Sequence, residues 1–242
     1  MIEFNTLAFM GMGFDPIYML IGGAGMVISM LIGKMLKSRF NKYSKMPIEL
    51  SGAEIAQKML DDAGISDVQI ISTPGQLTDH YHPLKKTVNL SEVVYGERNV
   101  AAAAVAAHEV GHAIQHATAY KWLTMRSKMV PVIGIGSGMA PMIIIVGLGM
   151  MAAESALGAT AALVGIVLFA LTTLFSLITL PVEFDASSRA LAWIDDSGVM
   201  DGLERSKAKS ALNAAAMTYV VAALASLAQL IYFVVKYLNA RD

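Results

Sequence analysis

Cysteine is absent from the 242 residues of this chain. That excludes disulfides, iron–sulfur clusters and thiolate zinc sites, so any transition metal must be held by His, Asp or Glu. Charge is scarce as well. Charged residues make up 15% of the chain and apolar residues 55%, against about 25% and about 45–50% in ordinary soluble domains. The net charge is −1, which leaves no basic footprint for nucleic acid. Lys and Arg are missing altogether before Lys34. The first apolar stretch therefore lacks the basic start of a cleaved signal peptide, and it lacks a small-residue cleavage site, so it reads as a retained anchor.

The apolar residues gather in four segments, at about residues 16–36, 130–153, 160–182 and 211–238. Each is near or above the roughly 20 residues needed to cross a bilayer. Glycines inside them, among them Gly22, Gly23, Gly25, Gly134, Gly138, Gly147 and Gly165, suit close helix–helix contact in lipid. The 17 methionines read as lipid-facing and packing residues. The fourth segment begins with many Ala, Ser, Thr and Asn residues, so a buried, partly amphipathic helix is an alternative to a span there.

Basic residues set an expected orientation. They cluster at Lys34–Lys45, at Lys121, Arg126 and Lys128, and at Arg189, Arg205, Lys207 and Lys209. The positive-inside rule then puts the N-terminus outside, four spans across the membrane, and the C-terminus outside. The expected organisation is a membrane anchor (1–36), a cytoplasmic zincin-like segment (37–128), a transmembrane hairpin (129–182), a second cytoplasmic segment (183–210) and a C-terminal transmembrane helix (211–242).

The polar segment carries structure signals. Ser51 and Glu54 form an S-x-x-E capping box. Ile55, Met59, Leu60 and Ala63 follow at helical spacing, and Gly64 is placed to end that helix. Residues 68–71, 76–82 and 87–91 read as short strands, with Pro83-Leu84-Lys85-Lys86 as a turn. An alanine-rich helix follows from about 99 to 116. An edge strand of such a sheet can receive a peptide by strand addition, and Thr87, Val88, Asn89, Leu90 and Ser91 are the candidate substrate-binding strand.

The chemistry lies in His108-Glu109-Val110-Gly111-His112, an H-E-x-x-H sequence on that helix. Residues four apart share a helix face, so His108 and His112 can offer two imidazole nitrogens to one ion. Zinc bound there lowers the pKa of water to about 7 and polarises a carbonyl. Glu109, beside the first ligand, is the candidate general base. A third ligand is required. His116 lies four residues further on, but successive i+4 positions drift by about 40° around the helix. Glu183, where the third apolar segment ends, is favoured instead, because an ionisable residue at the end of a span is costly without a role.

With these residues in place, the chain resembles the YugP-type membrane zinc metallopeptidases and, more distantly, the HtpX and Ste24 membrane gluzincins. The resemblance rests on Asp79-His80-Tyr81-His82-Pro83, Leu90-Ser91, the run from Ala107 to Gln115, the run from Glu183 to Ala190, and Ala216-Met217-Thr218-Tyr219-Val220. It implies a zinc peptidase with two His ligands and one Glu ligand. Gluzincins commonly place Asp four residues after the ligand Glu, whereas here that residue is Ser187 and the nearest carboxylate is Asp185. Support for a ligand His can come from Asp185, Ser187 or another segment. Arg189, His80, Tyr81 and Tyr219 are candidates for stabilising an oxyanion.

The expectation is an α-helical integral membrane protein with about four transmembrane helices and a small α+β zincin-like catalytic domain. Its function would be zinc-dependent endopeptidase activity at the cytoplasmic face of a bacterial plasma membrane. Its partners would be the lipid bilayer and a protein or peptide substrate, with membrane or misfolded proteins implied by the resemblance. The competing readings are a metal-binding membrane protein without hydrolytic activity and a structural partner of a membrane complex. A homo-oligomer or scaffold partner is not derivable from the sequence.

Overall fold

The computed structural model describes residues 15–136 and 138–241; residues 1–14 of the expected anchor lie outside that range. The described chain is mostly helical. In order it contains α1 (Pro16–Tyr43), α2 (Gly52–Asp62), β1 (Gln69–Thr73), β2 (His80–His82) and β3 (Thr87–Ser91). Then follow α3 (Glu92–Tyr95), α4 (Val100–Ala117), α5 (Lys121–Gly136), α6 (Ala140–Ala152), α7 (Ala156–Ser197) and α8 (Gly202–Asn239). Two compact units share these elements. One comprises residues up to Met30, Met125–Ile178 and Tyr219–Asp242; the other comprises Leu31–Thr124 and Thr179–Thr218.

In the first unit, α6 and the start of α7 pack at very short range. A Cβ on Gly147 would meet the Ala162 backbone nitrogen at 2.3 Å, and one on Gly165 would meet the Ile144 nitrogen at 2.8 Å. Gly22, Gly23, Gly134 and Gly138 face open space instead, so only part of the glycine pattern marks helix contacts. The apolar core of this unit is built from Ala140, Ile144, Leu148, Ala162, Ile166, Phe169, Phe233 and Tyr237.

Among the described residues, three helices are long and apolar enough to cross a membrane: α1, α7 and α8. The expected continuous second span, about 130–153, is broken. It falls into the end of α5 and the 13-residue α6, and α6 alone is shorter than a bilayer requires. The reason is local. Gly134, Gly136 and Gly138 weaken the helix, and Pro141 favours the first turn of a new one. The fourth segment belongs to one continuous helix, α8, whose early residues Ala208, Ala211 and Leu212 are buried in the core of the second unit.

The second unit holds the small sheet. The Ser51–Glu54 capping box forms as expected, with the Ser51 side chain accepting from the Glu54 amide and the Glu54 carboxylate accepting from the Ser51 amide. Gly64 takes a left-handed conformation (φ +68°) just after α2, which costs glycine little. The apolar stripe Ile55, Ala56, Met59 and Leu60 is buried together with Ala101–Ala104, Ala106 and Ala107 of α4. Asn99 caps α4 by accepting from the Ala102 amide. Small side chains on α4 let α2 approach, and full burial of each larger partner contributes about 1.5–3 kcal/mol.

The strand order is β1-β3-β2, with β1 parallel and β2 antiparallel to β3. This corrects the expectation for Thr87–Ser91. That strand is central and buried at all five residues, paired along its whole length by β1 and over Thr87–Asn89 by β2, so it is not an edge open to strand addition. The β2–β3 hairpin turns through residues 83–86, as the sequence suggests. The Asp79 carboxylate ties it down by accepting from the Ser91 amide and hydroxyl.

A Cβ on Gly52 would meet the Val94 carbonyl oxygen at 2.1 Å. Gly52→Ala must therefore push α2 away from α3. The expected loss is about 1–3 kcal/mol, read as a lower thermal midpoint of the purified chain; an unchanged midpoint would show that the contact yields freely.

Candidate metal centre

The two histidines of α4 and one carboxylate of α7 meet within the second unit. The Nε2 atom of His108 lies 3.3 Å from Oε2 of Glu183, and Nε2 of His112 lies 3.6 Å from the same oxygen. The three donor atoms fall within 4.8 Å of one another, and among the described residues they form the candidate metal-binding group. Donors sharing a tetrahedral zinc at about 2.0–2.1 Å sit about 3.4 Å apart, close to these spacings. Two imidazoles and a carboxylate are also a donor set that zinc accepts in catalytic sites. The residues present therefore fit the ion.

Local structure explains the convergence. On α4 the i, i+4 spacing puts both rings on one face, and their planes stand at 81° with centroids 4.8 Å apart. On α7 the residues Val182, Ala186, Ala190 and Ile194, each four after the last, are fully buried. Gly111 sits between the ligand turns of α4, where an added Cβ would lie 2.6 Å from the Ala186 carbonyl oxygen. The glycine lets the two backbones approach until Glu183, three residues before Ala186, reaches the imidazoles.

Electrostatics follow from burial. Only 2% of Glu183 is exposed. Burial pushes its carboxyl up, but the facing imidazoles of His108 and His112 outweigh that and hold it well below the usual carboxylate range. For His112, burial pushes the imidazole down, while the facing Glu183 carboxylate and the charge of Glu109 raise it above its ordinary value. Glu109 is buried beside these groups but lies outside the donor cluster.

The other expected site residues divide. Ser187 Oγ lies 3.1 Å from His108 Nδ1. Asp185 accepts from Arg189 Nε at 2.6 Å and from the Gln115 amide at 2.8 Å. Gln115 in turn meets His112 Nδ1 at 3.0 Å. His116 stands outside the cluster, its Nδ1 engaged 2.8 Å from the Tyr81 hydroxyl. His80 is exposed and bonds the Thr78 carbonyl of its own loop. Tyr219 belongs to the other unit. Gln115 is the residue that sequence reasoning misses. Its signal was present: an amide in an apolar helix, three residues after a ligand histidine.

Comparison with known proteins agrees with this chemistry. Residues 18–238 match a family model described as "Putative neutral zinc metallopeptidase". The chain belongs to that family. It is also 44% identical over 209 residues to the "Putative membrane protease YugP" of Bacillus subtilis (strain 168), covering 86% of this chain and 90% of that protein. No solved structure matches significantly. His108, His112 and Glu183 are the group that could hold a metal ion in such a chain.

Two outcomes are expected. Gly111→Ala should force the helices apart and weaken zinc binding about 5- to 150-fold, in line with an overpacking strain of about 1–3 kcal/mol; chelator competition measures it, and wild-type affinity would refute the close-approach argument. The raised pKa of His112 extends the pH range over which zinc must displace its proton. Zinc affinity should therefore fall as pH drops through the range where His112 is protonated. Titration calorimetry in buffers of different ionisation enthalpy should detect that proton release as a buffer-dependent heat that grows as the pH is lowered, and heats independent of buffer across the range would count against a raised His112 pKa.

Proposed function

We propose that this chain is a membrane-bound, zinc-dependent endopeptidase of the H-E-x-x-H, Glu-ligand type. It cleaves peptide bonds of membrane or misfolded proteins at the cytoplasmic membrane face. The observation that carries this reading is the convergence of His108, His112 and Glu183, with Glu109 buried beside them. His108 and His112 would hold the ion through Nε2 and Glu183 through its carboxylate. The zinc supplies Lewis acidity to a water molecule and to the scissile carbonyl. Glu109 accepts the proton that water gives up and delivers it to the leaving amine. Its burial beside the ligands keeps it near the reacting atoms without making it a ligand.

The membrane setting is supported by α1, α7 and α8 and by the relative's description as a membrane protease. The cytoplasmic face follows from the basic residues that flank the second unit's segments. With residues 37–128 and 183–210 on one side, the chain must cross an odd number of times before α7 returns. The broken α5–α6 segment supplies that crossing.

The test compares the wild-type chain in detergent with Glu109→Gln and Glu183→Gln. Glu109→Gln should keep its zinc and lose at least a hundredfold in cleavage of an unfolded protein, the size expected for a general base. Glu183→Gln should lose zinc affinity. Zinc-loaded wild type that cleaves nothing would defeat the peptidase reading, and zinc-free wild type would defeat the metal site.

A further inference from the structure

We propose that Gln115 is a positioning residue that fixes His112 in the tautomer and orientation that present Nε2 to the metal, locked in turn by Val182 and Asp185 of α7. The inference rests on the zinc reading above and adds a residue to that site.

The argument is one of donors and acceptors. Gln115 is fully buried, so its amide must find partners inside the protein. Its Nε2 lies 2.8 Å from the Val182 carbonyl oxygen and 2.8 Å from Oδ2 of Asp185. Both are acceptors only, the second an ionised carboxylate paired with Arg189. A flipped amide would set its oxygen against both of these oxygens, so the NH2 group must face α7. The amide oxygen is then left facing His112 Nδ1 at 3.0 Å, where it can only accept. His112 must carry a proton on Nδ1, so Nε2, the atom that faces Glu183, is the nitrogen left to give its lone pair to a metal once its own proton is displaced.

His108 is held differently. Its Nδ1 partner is the Ser187 hydroxyl, which can donate or accept and so selects no tautomer by itself. The two ligand histidines therefore differ: His112 is locked by a chain of one-way hydrogen bonds, His108 by a rotor. The lock also ties α4 to the helix that carries Glu183, because the same amide bridges a ligand on one helix and the backbone beside the ligand on the other.

The test uses the full chain in detergent, with zinc affinity read by chelator competition and the ligand field by absorption of the Co2+-substituted protein. Gln115→Met removes the amide at similar volume. It should lower zinc affinity about 10- to 100-fold and shift the cobalt bands, which a purely structural role would leave in place. Ser187→Ala should lose less. Asp185→Ala, which frees the amide to turn, should lose affinity in the same direction, and Asp185→Asn, whose oxygen still accepts, should restore it. The Gln115→Met, Asp185→Ala double variant should be no worse than Gln115→Met, since both act along one line. Wild-type affinity in Gln115→Met, or losses that multiply in the double variant, would overturn the inference. Should Gln115→Met fail to fold, the pair at Asp185 decides: equal affinity in Asp185→Ala and Asp185→Asn counts against the lock. A wild-type chain that binds no zinc sinks the zinc reading and this inference with it, whereas binding that survives every variant sinks the inference alone.

Discussion

The contact between Gly111 and Ala186 is the constraint on which the site depends. An added methyl group on Gly111 would lie within 2.6 Å of the Ala186 carbonyl oxygen, so the two helices meet backbone to backbone. Every group in the candidate centre lies within about a turn of that point. His108 and His112 stand on either side of Gly111, and Glu183 and Ser187 on either side of Ala186. A larger residue at the crossing would move all four together, because packed helices shift as bodies and do not deform locally. The alanines of α4 extend the same logic, since they let α2 close on one side while α7 closes on the other.

How much of the fold could be read in advance depended on whether the signal was local. The Ser51–Glu54 box and the Gly64 stop concern groups a few residues apart, and both form. Strand order is different. Nothing between residues 69 and 91 announces that β1 pairs with β3 in parallel and leaves β3 in the middle. An even run such as Thr-Val-Asn-Leu-Ser reads equally as edge or centre, and burial on both faces decided the matter. The apolar stretch 130–153 misled for a related reason. Hydropathy averages over a window, whereas three glycines and Pro141 act at single positions and divide the helix.

The convergence of His108, His112 and Glu183 was legible because it obeys two simple rules, i+4 spacing on one helix and a carboxylate placed where an apolar run ends. The groups that orient the ligands were only half legible. Ser187 and Asp185 could be named from their distance to Glu183, but their division of labour could not. It depends on Gln115 lying between Asp185 and His112, a relation across 70 residues that exists only once α7 crosses α4. Asp185, two residues from Glu183, thus acts on His112 through an amide, while Ser187 meets His108 directly.

That arrangement has an electrostatic consequence. Histidine ligands are often backed by carboxylates, which raise their basicity. Here both partners are neutral, a hydroxyl and an amide, and the one carboxylate nearby is compensated by Arg189. The buried negative charge of the centre is then confined to Glu183 and Glu109. A buried carboxylate is costly unless paired, and the facing carboxylates of Glu183 and Glu109 raise the pKa of His112. Two neutral imidazoles, two carboxylates and one divalent cation sum to zero. The site is thus balanced for a dication, and a third carboxylate behind His112 would have left it with surplus negative charge in an interior that solvates charge poorly. The amide at position 115 supplies the directionality of a carboxylate partner without its charge, which reconciles a fixed tautomer with a neutral buried centre.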